Sequence, residues 1–145
     1  MTTLQQYLKD DHRKCDELLA VMEKSASSKD AKEKYIQFKN SMEHHFCMEE
    51  EILFPAMVKI TGSEMGPISV MKMEHEQMRN LFLRMDKSVE DDPEEFLGLS
   101  ETLNILIQQH NSKEEMILYP MAEQLLGNTS SEILNSFESG PCRKD

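Results

Sequence analysis

Two stretches of this chain carry the same pattern. His45-Phe46-Cys47-Met48-Glu49-Glu50-Glu51-Ile52-Leu53-Phe54-Pro55 and His110-Asn111-Ser112-Lys113-Glu114-Glu115-Met116-Ile117-Leu118-Tyr119-Pro120 both read H-x-x-x-E-E-x-I-L-[F/Y]-P. On a helix, residues four apart project from one face, so each copy offers an imidazole and a carboxylate side by side. A single His–Glu pair at this spacing is common on helix surfaces. Agreement of two copies at the His, both Glu, the Ile, the Leu, the aromatic and the Pro is not. The fold must be one that can use two such helices together.

The apolar periodicity around the repeats supplies a frame. Leu4, Leu8, Cys15, Leu18, Leu19 and Met22 form one helical stripe with His12 set into it, and Thr3 with Gln6 reads as a capping box at its start. Ser25 to Asp30 breaks the pattern, and Asp30 with Glu33 marks the next helix start. The second helix has a seam at Tyr35, Phe38, Met42, His45, Glu49, Ile52 and Ala56. Pro55 removes the hydrogen bond to the Glu51 carbonyl and is expected to kink this helix or loosen its last turns.

Residues 61–67 read as a loop ending on Pro67 at the first helical position. The third helix then carries Ile68, Met71, His75, Met78, Phe82, Met85 and Val89. Asp92, Pro93 and Glu95 start the fourth, whose seam is Phe96, Leu99, Leu103, Leu106, His110, Glu114, Ile117, Met121 and Leu125, closing near Gly127. Thr129 to Glu132 caps a short further helix through Ile133, Leu134 and Phe137, and residues 139–145 read as a loose tail.

The expected fold is all-α: an up-down-up-down four-helix bundle over residues 1–128, with residues 129–145 forming a short C-terminal fifth helix and flexible tail. His12 and His45 are 33 residues apart, and His75 and His110 are 35. Each pair is thus separated by two helical legs of roughly 20–24 Å, which brings all four histidines to one layer. Only 5 Gly and 5 Pro in 145 residues leave too few turn formers for an all-β chain.

In that layer, His12, His45, Glu49, His75, His110 and Glu114 interrupt otherwise apolar seams. Six polar groups in a core are costly unless partnered. One solution is a metal-free network of His–carboxylate hydrogen bonds in a helical interaction domain. The other is metal, and six side chains exceed a tetrahedral zinc site but suit two octahedral ions. Mixed imidazole and carboxylate ligation from facing helices suits two non-haem iron ions (Fe2+/Fe3+), with Mn or Zn as competitors. Two carboxylates neutralise only part of that charge, so an oxo or hydroxo bridge is expected, leaving a position on each iron for a small ligand.

The residues quoted so far, with Asp11-His12 and Glu74-His75-Glu76, resemble the hemerythrin-like HHE cation-binding domain over residues 3–126. The resemblance implies a four-helix bundle with a di-iron centre, used across the family for oxygen binding, iron or gas sensing, redox chemistry or repair of damaged iron centres. It carries ligand roles to His12, His45, Glu49, His75, His110 and Glu114. One departure stands out: the oxygen carriers have a second His one turn after the third-helix His, and Arg79 is there instead. They also place the fourth-helix carboxylate where this chain has Glu115, whereas the internal repeat favours Glu114. A four-His, two-Glu set resembles the iron-repair branch.

Other residues have ordinary readings. His44 is beside the seam and reads as a rim residue, while Glu50, Glu51 and Glu115 face solvent or orient ligand imidazoles. Cys15, Cys47 and the methionines read as core packing; Tyr7, Tyr35 and Tyr119 are within possible reach of the site. Three cysteines give no even disulfide framework and suit a reducing compartment. No signal peptide or membrane span is visible, and a net charge of −11 disfavours nucleic acid and anionic membranes. The expectation is a cytoplasmic protein that binds, senses or reduces a small oxidant (dioxygen, another diatomic gas such as nitric oxide, or peroxide), with a redox partner protein where turnover occurs. The alternative is iron handling or iron-centre repair without oxidant turnover.

Overall fold

The Thr3 hydroxyl accepts from the Gln6 N–H at 3.0 Å and starts the first helix where the sequence places it. Only half of the capping box forms, because the Gln6 side chain turns to Asp10 instead of back to Thr3. In this computed structural model, which describes residues 2–64 and 66–142, every regular element among the described residues is helical and there is no strand. The order is α1 (Leu4–Ser25), α2 (Ala31–Cys47), a π-helical turn (Met48–Leu53), α3 (Phe54–Thr61), α4 (Pro67–Asp91), α5 (Pro93–Lys113), a second π-helical turn (Glu114–Leu118), α6 (Tyr119–Leu126), a 3₁₀ turn (Gly127–Thr129) and α7 (Ser130–Ser139). Asp92 caps α5 through the Glu95 N–H at 3.1 Å. Gly62 ends α3 with a left-handed φ of 83°, a conformation that costs Gly least.

Both copies of the repeated block generate a π turn, and their prolines explain why. Pro55 and Pro120 have no N–H, and in an α-helix their rings would press on the carbonyls of Glu51 and Met116. A wider turn relieves that contact: the Phe54 N–H reaches back five residues to the Glu49 carbonyl, and the Tyr119 N–H to that of Glu114. The extra residue shifts every later side chain around the helix by one position. The buried residues are therefore Leu53, Phe54 and Met57 rather than Ile52 and Ala56, which are only half-buried. In the second copy Leu118, Tyr119, Ala122 and Leu126 go inside, while Ile117, read as a seam residue, is 55% exposed. Ahead of the second π turn, and so for a reason other than that shift, Ile107 rather than Leu106 takes the core position on α5. The third-helix seam, which holds no π turn, buries all seven expected residues.

α1 packs along α2, α4 along α5, α2 against α4, and α6 against α1 and α3. Two apolar clusters result. One joins Leu19, Met22, Tyr35, Phe38, Phe46, Phe82, Met85, Phe96 and Leu103. The other joins Leu4, Leu8, Met48, Leu53, Phe54, Met57, Met71, Leu118 and Leu126 with Ile133 and Phe137 of α7. On α1, α4 and α5 the layer histidine lies in sequence between residues of the two clusters, and on α2 the changeover comes just after His45, between Phe46 and Met48.

The cysteine reading needs correction. Cys47 and Cys142 form a disulfide with a Cα–Cα distance of 5.7 Å, within normal bridging range. An odd count does not prevent one pair, and α7 returns the chain to the second helix across a sequence separation of 95. The expected loose tail is thus tied down as far as Cys142; residues 143–145 of that tail lie outside the described residues. Cys15 is a buried core residue outside that bond, with its sulfur 3.3 Å from the Ser41 hydroxyl. No helix among the described residues is long and apolar enough to cross a membrane.

Candidate metal centre

His12 comes from α1, His45 from the end of α2, His75 from α4 and His110 from the end of α5; Glu49 and Glu114 come from the two π turns. All six are buried, the two glutamates completely. Their ligand atoms form two groups, one of His12, His45, Glu49 and Glu114 and one of Glu49, His75, His110 and Glu114, each with its atoms within 4.8 Å of one another. Both glutamates belong to both groups. Glu49 spans them oxygen by oxygen, with Oε2 at 3.2 Å from His45 Nε2 and Oε1 at 3.0 Å from His75 Nε2. Glu114 Oε1 faces His12 Nε2 at 2.9 Å and His110 Nε2 at 3.3 Å.

Outside this layer, each imidazole has its own carboxylate on Nδ1. The Nδ1–H of His12 donates to Glu115 at 2.7 Å, that of His45 to Asp11 at 2.7 Å, that of His75 to Glu50 at 2.6 Å and that of His110 to Glu74 at 2.8 Å. A carboxylate only accepts, so each Nδ1 carries the hydrogen; the Nε2 atoms of His45 and His75 face Glu49 oxygens as well, and an imidazole that gives up its Nε2 proton turns a lone pair inward. The arrangement repeats between the halves of the chain. Asp11 and Glu74, each preceding a histidine, serve His45 and His110; Glu50 and Glu115, each following a buried Glu, serve His75 and His12.

The charges are held unevenly. Burial opposes protonation of His45, but the facing Glu49 and Asp11 raise its pKa well above the usual imidazole value. The same opposition raises His75, mainly through Glu49 and Glu50, and brings His110 to about 9, mainly through Glu114. Burial likewise works against ionised Glu49, yet His45 and hydrogen bonding within the layer keep its carboxyl well below the normal range. Without a cation, protons carry the balancing charge.

The donor set fits a pair of metal ions. Two buried polar atoms of the layer, His110 Nε2 and Glu114 Oε2, have no hydrogen-bond partner among the described residues. The 3.3 Å approach of His110 Nε2 to Glu114 Oε1 is an ion-pair contact without hydrogen-bond geometry. Metal–ligand bonds of about 2.1 Å place the donors of one octahedral ion roughly 3–4.2 Å apart, close to the spacing found. Tyr119 also enters the layer. Its hydroxyl donates to Glu49 Oε2 at 2.6 Å and lies 2.9 Å from Glu114 Oε1, 3.0 Å from His12 Nε2 and 3.1 Å from His45 Nε2.

The remaining candidates fall outside the layer. His44 is half-buried and lines a cavity of about 190 Å³ with Tyr7, Asp11, Lys14, Phe137 and Glu138. Glu51 is exposed. Tyr7 reaches toward Glu138, and Tyr35 donates to Asp86 and the Phe82 carbonyl. Arg79, where the oxygen carriers have a histidine, grips Glu50 through both NH groups at 3.0 and 3.1 Å. Asp11 and Glu74 receive no site role from the sequence, and of the three tyrosines within reach of the site by sequence it is Tyr119 that enters the layer; the acidic residue before each lone His and the aromatic five after each Glu are the available signals.

The family described as the hemerythrin HHE cation-binding domain matches residues 3–122. The chain is 36% identical over 89 residues to the iron-sulfur cluster repair protein YtfE of Escherichia coli O81 (strain ED1a), and 34% identical over 89 residues to that of Citrobacter koseri. Each match covers 54% of this chain and 40% of the relative, so the chain spans less than half the length of these relatives. No solved structure gives a significant match.

Proposed function

We propose that this chain, which belongs to the hemerythrin HHE cation-binding domain family, holds two non-haem iron ions between His12, His45, Glu49, His75, His110 and Glu114 and uses them to bind, sense or reduce a small oxidant. The observation that carries the reading is the shared pair of fully buried carboxylates, one of which already points one oxygen at each half of the layer. His12 and His45 would hold one ion and His75 and His110 the other, with Glu49 and Glu114 shared between them. When bound, the iron pair supplies redox capacity and exchangeable positions for dioxygen, nitric oxide or peroxide. The protein's own residues fix the imidazole tautomers through Asp11, Glu50, Glu74 and Glu115, and the flanking apolar clusters restrict water.

Repair or handling of iron centres is a second reading, and the likeness to iron-sulfur cluster repair proteins favours it. Arg79 at the position of the oxygen carriers' extra histidine also points away from simple reversible oxygen carriage. In this proposal the helices pack as an up-down-up-down bundle over residues 1–128, which the α1–α2 and α4–α5 packing supports. Residues 129–145 form an added helix and tail. A cytoplasmic location and a redox partner protein belong to the same proposal.

Elemental analysis with an absorption spectrum of the as-isolated protein tests it. Two irons per chain with the ultraviolet bands of an oxo-bridged diferric pair are expected; colourless protein without metal overturns it. Rapid consumption of peroxide or nitric oxide by the iron-loaded protein favours oxidant chemistry. Restoration of a damaged iron-sulfur protein without such consumption favours repair.

A further inference from the structure

The two halves of the layer match in their His and Glu ligands and, with Asp11 in one half for Glu74 in the other, in their outer carboxylates; one further position differs in kind. Position ten of the repeated block is Phe54 in the first copy and Tyr119 in the second. Because each sits five residues after a layer glutamate on a π turn, each lies next to that glutamate. Phe54 stacks its ring toward His75 at 6.2 Å between centroids and brings no polar atom. Tyr119 brings a hydroxyl, fully buried, to the point on which His12, His45, Glu49 and Glu114 converge, at 2.6–3.1 Å from all four.

That oxygen stands where a cation held by those same four atoms has to go. In the other half no hydroxyl among the described residues bonds to His75 or His110, and His110 Nε2 is without a hydrogen-bond partner there, as is the second oxygen of the shared Glu114. A cation entering the His75–His110 half satisfies unpartnered atoms. One entering the His12–His45 half must first move the phenol and break its short hydrogen bond to the Glu49 carboxylate, which is of the strong, charge-assisted kind.

Building on the di-metal reading above, we propose that Tyr119 makes the two positions inequivalent. The His75–His110 position loads first, and the His12–His45 position loads second and more weakly because Tyr119 holds its place. Sharing of Glu49 and Glu114 weakens any second ion by charge repulsion, so inequality alone is not diagnostic. What distinguishes the proposal is which half fills first and what removal of one oxygen atom does to the second step.

Anaerobic titration of metal-free protein with Fe2+, followed calorimetrically, reads both. Wild type is expected to show two steps, with the second tightened roughly tenfold in Tyr119→Phe and the first unchanged; tenfold corresponds to about 1.4 kcal/mol. His110→Ala is expected to abolish the tight step, and His12→Ala to spare it. Two steps that Tyr119→Phe leaves alone, a second step that it weakens, or loss of the tight step in His12→Ala overturns the inference while the di-metal reading stands. Wild type that takes up no Fe2+ overturns that reading itself, and this inference with it. If circular dichroism shows Tyr119→Phe unfolded, Phe54→Tyr decides in its place: a weakened first step is expected, and an unchanged one overturns the proposal.

Discussion

Arg79 binds Glu50 through two hydrogen bonds, NH1 to Oε2 at 3.0 Å and NH2 to Oε1 at 3.1 Å, the parallel geometry of a guanidinium matched to a carboxylate. Glu50 in turn receives the Nδ1–H of His75 at 2.6 Å. The guanidinium also reaches Glu43 and Glu76 and lies 5.0 Å over the Phe46 ring, which itself stacks on His75. The residue standing in the place of a histidine ligand therefore acts on the layer at one remove, by fixing the group that fixes His75.

Arg79→Met keeps much of the aliphatic stem and removes the fork. Glu50 then loses its counter-charge, and the His75 ring loses its fixed orientation. Outer groups of this kind are worth about 10- to 100-fold in metal affinity, so iron affinity should fall by that order while the helical circular dichroism is retained. Arg79→Lys should recover only part of the loss, because an ammonium cannot make the parallel pair. Unchanged iron binding in Arg79→Met would show that His75 needs no such support.

Glu49 faces both halves of the layer, one oxygen to each. Glu49→Gln keeps its shape and removes its charge, so iron content should drop from two per chain to one or none by elemental analysis. Glu115→Gln touches only His12 Nδ1 and should lower affinity without abolishing either site. Equal losses in the two variants would contradict the division of roles between inner and outer carboxylates.

Protons and metal compete for the same imidazoles. Folding raises the pKa of His110 from 6.5 to about 9, against burial and chiefly through Glu114, and raises those of His45 and His75. Raised folded values mean that this stabilisation of the metal-free protein is full below 6.5 and is lost as pH climbs, for His110 through about 9. Glu49, Glu50 and Glu74 are shifted down despite burial, so their contribution is present above 4.5 and lost on acidification. The metal-free protein should therefore be most stable between about pH 5 and 7. Metal loading should release protons at neutral pH and tighten as pH rises toward 9, which calorimetry in buffers of different ionisation enthalpy will measure. Loading that releases no protons would contradict the raised imidazole values.

The six-residue layer was legible because α-helical spacing holds on α1, α2, α4 and α5 up to the π turns. Beyond Glu49 and Glu114 the spacing rule fails, and Ile52, Ala56, Ile117, Met121 and Leu125 were read one position out of register. Pro55 announced a disturbance there but not its direction, since a kink and a widened turn leave the same mark in sequence. That misreading also hid Tyr119, which α spacing does not bring to Glu114 and a π turn does. Asp11 and Glu74 were visible beside their histidines, but their partners His45 and His110 lie on other helices, and pairing across helices leaves no local signal. Cys142 was missed for the same reason: nothing near it in sequence says that α7 folds back onto Cys47.

The Cys47–Cys142 bond joins positions 95 residues apart, and closing a loop of that size in the unfolded chain is what such a bond chiefly contributes, by about 2–4 kcal/mol in typical cases. It fastens α7, whose Ile133 and Phe137 complete one apolar cluster, to the helix that carries His45. Reduction with a dithiol, or Cys142→Ser, should lower the melting temperature by about 5–15 °C for a chain of this length. The layer side chains are held by their own carboxylates, so iron content should be unaffected by reduction at 25 °C. Adding reductant to Cys142→Ser should cause no further shift, which separates loss of this bond from other effects of the dithiol. A reduced protein that melts with the oxidised one would show that α7 is held by Ile133 and Phe137 alone.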